Sequence, residues 1–220
     1  RDSVASRGLG DVYKRQVLND LEEAGYFYHD LTQVLGEGRV LFLPSSYKRA
    51  IKYGQKDSAN EVLRTEVLTR LSEANSQLYI VSYPDALAEL VVSRDTLNDR
   101  SVRLAVGDTV EIPQMEATLV GEGFERVDYV YEPGQFAVRG SIIDVFSYAS
   151  EYPYRIDLFG DEIDSIRTFE IESQLSRDKV QQVSIVPNFE GGAGDEVSFF
   201  DFLPKGSALA FQDYAWVHER

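Results

Sequence analysis

Arg155, Asp157 and Phe159 stand at alternate positions in the run Tyr154 to Phe159, and this spacing carries the most specific chemistry in the 220-residue chain. In an extended strand successive side chains point to opposite faces. Tyr154, Ile156 and Leu158 therefore share one apolar face, and Arg155, Asp157 and Phe159 share the other. An aromatic beside an arginine on a polar sheet face is the composition of a protein-docking hot spot. Arg139, on the preceding strand-like run, would come alongside if the two strands pair, and two guanidiniums can grip a partner's carboxylates in bidentate fashion. The same residues also admit an internal solution, in which the arginines bridge to Asp157 or Asp144 and a neighbouring loop covers Phe159. The residues alone do not choose between the two.

Other candidate chemistry is weaker. Asp161, Glu162 and Asp164 could pair as catalytic carboxylates, yet Gly160-Asp161-Glu162 has the composition of a solvated hairpin tip. Gly121-Glu122-Gly123 ends a helix rather than opening one, so its amides are not presented to a phosphate. His29 and His218 have no second histidine at metal-ligand spacing. The chain contains no G-x-x-x-x-G-K-[ST] loop, so the backbone cradle and lysine that hold nucleotide phosphates are missing. The expectation is a chain with no catalytic, cofactor-binding or metal-binding residue of its own.

The elements that must position the strand face fall into two grammars. Val17 to Leu35 repeats apolar residues at helical spacing and stops at Gly36; Arg39 to Leu43 and Leu78 to Val81 are strand-like; Glu61 to Leu71 and Tyr83 to Val91 read as helices. Strands alternating with helices imply a parallel α/β sheet covered on its faces. After about Asp99 the pattern changes. Pro113 to Gly121 is a short helix facing inward through Met115 and Leu119, and Val127 to Pro187 is mostly strand, with the run from Glu132 to Phe169 forming an antiparallel meander. Ser207 to Phe211 followed by Asp213 resumes the strand-into-helix order. The fold expected is α/β with an inserted α+β domain: 17–99 α/β, 100–187 α+β, and 188–220 a glycine-rich linker and the resumed α/β part.

With 43% hydrophobic residues the chain can bury a sizeable core, and a formal net charge of -15 argues against a surface devoted to nucleic acid. No cysteine is present, which excludes disulfides and thiolate zinc sites, and no apolar run is long enough for a membrane span. A cytoplasmic protein with protein partners is the default. Residues 1–16 are unlike the rest and look like translated adapter sequence, so they are set aside from the fold. They carry Arg1, Arg7, Lys14 and Arg15 against Asp2 and Asp11, a net +2, which leaves the remainder at -17. Setting them aside also removes the leading strand of the first sheet and exposes an edge.

The region Phe124 to Phe169, read with Gly123 in the segments GFERVDYVYEPGQFAVRGSIIDVF and PYRIDLFGDEIDSIRTF, closely resembles the UvrB-homology region of the bacterial transcription-repair coupling factor (Mfd) family, and LNDLEEAGYFYHDL resembles the same family upstream. The resemblance covers about Val17 to Arg220. It implies a degenerate helicase-like (RecA-like) parallel-sheet domain followed by an antiparallel-sheet module that binds the repair protein UvrA. The contacts it implies are Arg139 in V-R-G, Arg155 in P-Y-R and Phe159 in L-F. It also implies a longer parent that uses ATP and magnesium in a DNA translocase to displace stalled RNA polymerase during transcription-coupled nucleotide excision repair. UvrB, the excision-repair helicase, is similar here too, and a DNA-contacting module is a further alternative.

Overall fold

A computed structural model of the chain describes residues 14–18, 20–36, 38–47, 58–73, 77–189 and 194–211. The first part runs β1 (Lys14–Val17), α1 (Leu21–Leu35), β2 (Val40–Leu43), α2 (Ser58–Glu73), β3 (Tyr79–Ser82), α3 (Pro84–Leu87), β4 (Leu90–Val92) and α4 (Arg94–Arg100). The middle runs β5 (Val102–Ala105), α5 (Ile112–Gly121), β6 (Glu125–Arg126), β7 (Gln135–Arg139), β8 (Ile142–Val145), β9 (Tyr154–Phe159), β10 (Glu162–Phe169), β11 (Ser176–Val180) and β12 (Gln182–Ile185). The chain then adds β13 (Glu196–Ser198), α6 (Phe199–Phe202) and β14 (Ala208–Phe211).

Four strands form a parallel sheet in the order β14-β1-β3-β2. Strand alternation divides its side chains between two cores. Val40 and Val81 pack with Ala24 and Leu18 on the α1 side, whereas Leu41, Leu43 and Ile80 pack with Val67, Leu68 and Leu71 of α2. The α2 cluster also takes in Val186, Phe199 and Phe202, with Ala149 packed against it. Residues of the middle part are thereby built into the core of the first.

Three expectations are corrected here. Val17 does not begin a helix: it ends β1, and α1 starts at Leu21, where the Asp20 carboxylate accepts hydrogen bonds from the Glu22 and Glu23 amides at 2.9 and 3.0 Å. Residues 14–16 are not outside the fold, because β1 lies between β3 and β14 and the sheet keeps a leading strand; residues 1–13 lie outside the described residues. The helix read over Tyr83 to Val91 ends at Leu87, and Leu90–Val92 pairs antiparallel with Glu196–Ser198. The helix expected after Asp213, and His218 within it, also lie outside the described residues.

Helix α2 is covered on both sides, which leaves Thr65 and Thr69 buried and brings Glu66 close to Glu151 of the middle part. Burial pushes the Glu66 carboxyl above its ordinary range; Arg70 opposes the shift and Glu151 adds to it. In the unfolded chain Glu66 loses its proton at lower pH than in the folded one. Its charge therefore penalises folding above that window, and the penalty vanishes once both states are protonated. Glu66→Gln should raise the thermal midpoint at neutral pH and lose that advantage as the pH falls to the ordinary carboxylate range. Equal midpoints at neutral pH would contradict it.

The middle part is a six-stranded sheet in the order β11-β10-β9-β8-β7-β6, antiparallel except for the short β6–β7 pair. Its inner face carries Phe136, Ile143, Val145, Ile156, Leu158, Ile163 and Ile166. These pack against Met115 and Leu119 of α5 and against Leu104, Val183 and Ile185 of the β5–β12 ribbon. Pro113 stands in the first turn of α5, where its missing amide hydrogen costs nothing. Gly123, at φ +87°, turns the chain out of the helix, so the Gly121-Glu122-Gly123 stretch is a helix stop.

Candidate functional site

The outer face of this sheet is where the sequence placed its candidates. Gly140, at φ 62°, makes the tight turn from β7 into β8, and Gly160, at φ 64°, makes the turn from β9 into β10. These turns set the register: Ala137 opposes Asp144, Asp144 opposes Arg155, and Arg155 opposes Arg167. The next row holds Arg139, Ile142, Asp157 and Ser165. One end of the face is sealed by a small cluster of Val130, Ala137, Phe146 and Phe169. The other end is Phe159.

Arg139 does not sit on the strand that pairs with β9, as the sequence suggested. It lies on β7, one strand further away, and β8 comes between. The two arginines meet through Asp144 instead, whose side chain is 0% exposed. Arg155 donates from Nε to Asp144 Oδ1 at 2.8 Å and from Nη2 to Oδ2 at 2.9 Å, a bidentate pair. Its Nη1 donates to the Gln174 carbonyl at 3.0 Å, and its guanidinium lies 4.4 Å from the centre of the Phe169 ring. Arg139 donates from Nη2 to Asp144 Oδ2 and from Nη1 to the Asp128 carbonyl at 3.0 Å, with its guanidinium 5.1 Å from the Tyr129 ring centre. Asp157 accepts from Arg167 and from Ser165.

The internal solution is thus realised for the arginines and not for the aromatic. Hydrogen bonding to Asp144 raises the Arg155 guanidinium above its ordinary value, while burial pulls the other way. One buried carboxylate faces two guanidiniums, so a positive charge is left over at the centre of the face, reachable at Arg139, whose side chain is 35% exposed. Phe159 is 84% exposed. The Gly160 turn carries the chain away from it, and among the described residues no loop covers its ring. Asp161, Glu162 and Asp164 are exposed around the same hairpin.

Sequence reasoning missed Gln174, Tyr129 and Leu175. Gln174 is the non-glycine residue with positive φ among the described residues, at 57°; its carbonyl receives Arg155 and its Nε2 donates to the Ile171 carbonyl at 2.7 Å. Glutamine gives no sequence signal for that conformation. Tyr129-Val130-Tyr131 did carry one: Val130 is fully buried and both tyrosines are exposed, the alternation that marks a half-covered segment.

The strands from β5 to β12, and so the whole of this face, fall inside residues 102–190, which match the family model of the UvrB interaction domain. The chain is 30% identical over 171 residues to the transcription-repair-coupling factor of Bacillus subtilis (strain 168), covering 78% of this chain and 14% of that protein. The chain is a relative of the transcription-repair-coupling factors. The factor of Staphylococcus aureus (strain bovine RF122 / ET3-1) is 31% identical over 169 residues, 77% of this chain and 14% of its own length. That of Haemophilus influenzae is 31% identical over 138 residues, 62% and 12%. The chain spans about one seventh of the length of the first of these relatives. Among the described residues no helix is long and apolar enough to cross a membrane.

Proposed function

We propose that this chain is a non-catalytic recruiting module of transcription-coupled nucleotide excision repair, and that the outer face carrying Arg139, Arg155 and Phe159 docks on UvrA. The single observation that supports it is Phe159, a large aromatic left 84% exposed beside an ion-paired sheet face inside the UvrB interaction domain. An exposed ring contributes little to the fold, and its burial in a partner's pocket is favourable by about 1.5–3 kcal/mol. In this reading Phe159 is the anchor, and the arginines supply a preorganised positive centre that a partner carboxylate can approach.

The parallel sheet β14-β1-β3-β2, with helices on both faces, is read as a degenerate helicase-like, RecA-like part that carries the docking module. Translocation on DNA and the displacement of RNA polymerase belong, in this proposal, to parts of the relatives that this chain does not cover, and ATP and magnesium act there. The proposed setting is the cytoplasm. The net charge of -15 weighs against a DNA-contacting role for the face.

Titrating the 220-residue chain into UvrA and, separately, into duplex DNA at two salt concentrations separates the readings. A saturable complex with UvrA, and DNA affinity that is weak at both salts, is the expected result. Failure to bind UvrA, together with duplex binding that falls steeply with salt, would replace docking by phosphate contact.

A further inference from the structure

Each of the two arginines that share Asp144 has an exposed apolar side chain beside it. Tyr129, 52% exposed, lies under the Arg139 guanidinium and borders an open groove with Arg126, Asp128 and Arg139. Leu175, 68% exposed, follows Gln174, whose carbonyl holds Arg155. Single exposed apolar residues are ordinary on a protein surface. These two differ because both are held in place by the same ionic network.

The Glu170–Leu175 turn is closed by the Glu170 amide donating to the Leu175 carbonyl at 2.9 Å and the Gln174 amide donating to the Glu170 carbonyl at 2.8 Å. Inside it Gln174 keeps a left-handed backbone that is unfavourable for a side chain larger than glycine. Arg155 and the Gln174 amide, reaching the Ile171 carbonyl, stabilise that conformation. The result is a fixed turn that presents Leu175 to solvent at the margin opposite Phe159. A rigid, preorganised apolar contact loses little freedom on binding.

We infer that the docking face extends past the two arginines to Tyr129 and Leu175, so that UvrA is gripped at three apolar points, Phe159, Tyr129 and Leu175, around one positive centre. The matching partner surface is apolar at those points and acidic between them, which the surplus charge of two guanidiniums on one carboxylate selects. The inference rests on the docking reading proposed above.

The test is the dissociation constant of the 220-residue chain with UvrA for Leu175→Ser, for Tyr129→Ala combined with Leu175→Ser, and for Phe159→Ala, each checked by circular dichroism for an unchanged fold. Both sites are exposed, so Leu175→Ser should fold as the parent does even if Tyr129→Ala loosens Arg139. A weakening of roughly tenfold for Leu175→Ser, and more for the pair, is expected. If Phe159→Ala weakens binding while Leu175→Ser and the pair bind as the parent does, the extension is wrong and the docking reading stands. Should Phe159→Ala bind unchanged as well, the docking reading fails, and this inference with it.

Discussion

Asp144→Ala should destabilise the chain by about 3 kcal/mol, the lower end of the cost of removing one member of a buried ion pair. Asp144 is 0% exposed and accepts the bidentate pair from Arg155 and a further bond from Arg139. Alanine in its place leaves two guanidiniums with a missing counter-charge, and each must be rehydrated or shifted. Arg139 can reach water, since its side chain is 35% exposed, which moderates the loss. Arg155 is less free, held against Phe169 and tied to Gln174. Asp144→Asn keeps the shape and one acceptor oxygen and should lose less. Denaturant unfolding followed by circular dichroism measures both: the expected order is parent, then Asn, then Ala, with unchanged slope. An alanine variant as stable as the parent would mean that the arginines are not organised by this carboxylate.

How far the sequence carried this picture depends on the range of the interactions. The alternation in β9 was legible because period two and the turn at Gly160 are local, and Phe159 could be picked out as an aromatic on a charged face. Arg139 and Arg155 were legible as chemistry. Their partner was not decidable, because it depends on β8 coming between β7 and β9 so that Asp144 faces Arg155. The α5 helix and its inward Met115 and Leu119 were readable from Pro113 and the spacing. The end of α3 was not, since the strand that follows it finds its partner at Glu196–Ser198, about a hundred residues on. Val17 is β-branched and favours a strand by type, and the residue that ends the ambiguity is Asp20, whose cap starts α1 at Leu21. Composition set residues 14–16 aside, yet pairing of β1 with β14 depends on residues at the far end of the chain. Gln174 illustrates the same limit: its left-handed backbone follows from Arg155 and Ile171, not from being glutamine.

The two arginines and the aromatic therefore play different parts on one surface. Asp144 and the carbonyls of Gln174 and Asp128 already hold the two arginines by hydrogen bonds, so they shape the face and leave it positive. Phe159 is left largely exposed among the described residues, and that surface is not used to hold the fold. Truncating Phe159 should then barely change stability, within about 0.5 kcal/mol as for other surface substitutions. Its effect should appear in association alone, where losing a buried aromatic anchor costs at least about 2 kcal/mol, close to thirtyfold in affinity.

The most direct measurement is the dissociation constant for UvrA of the parent chain and of Phe159→Ala, made on samples whose unfolding curves superimpose. A weakening of about thirtyfold or more is the predicted result. Equal affinity in the two, with the fold intact, would contradict the claim that this sheet face recruits UvrA through Phe159.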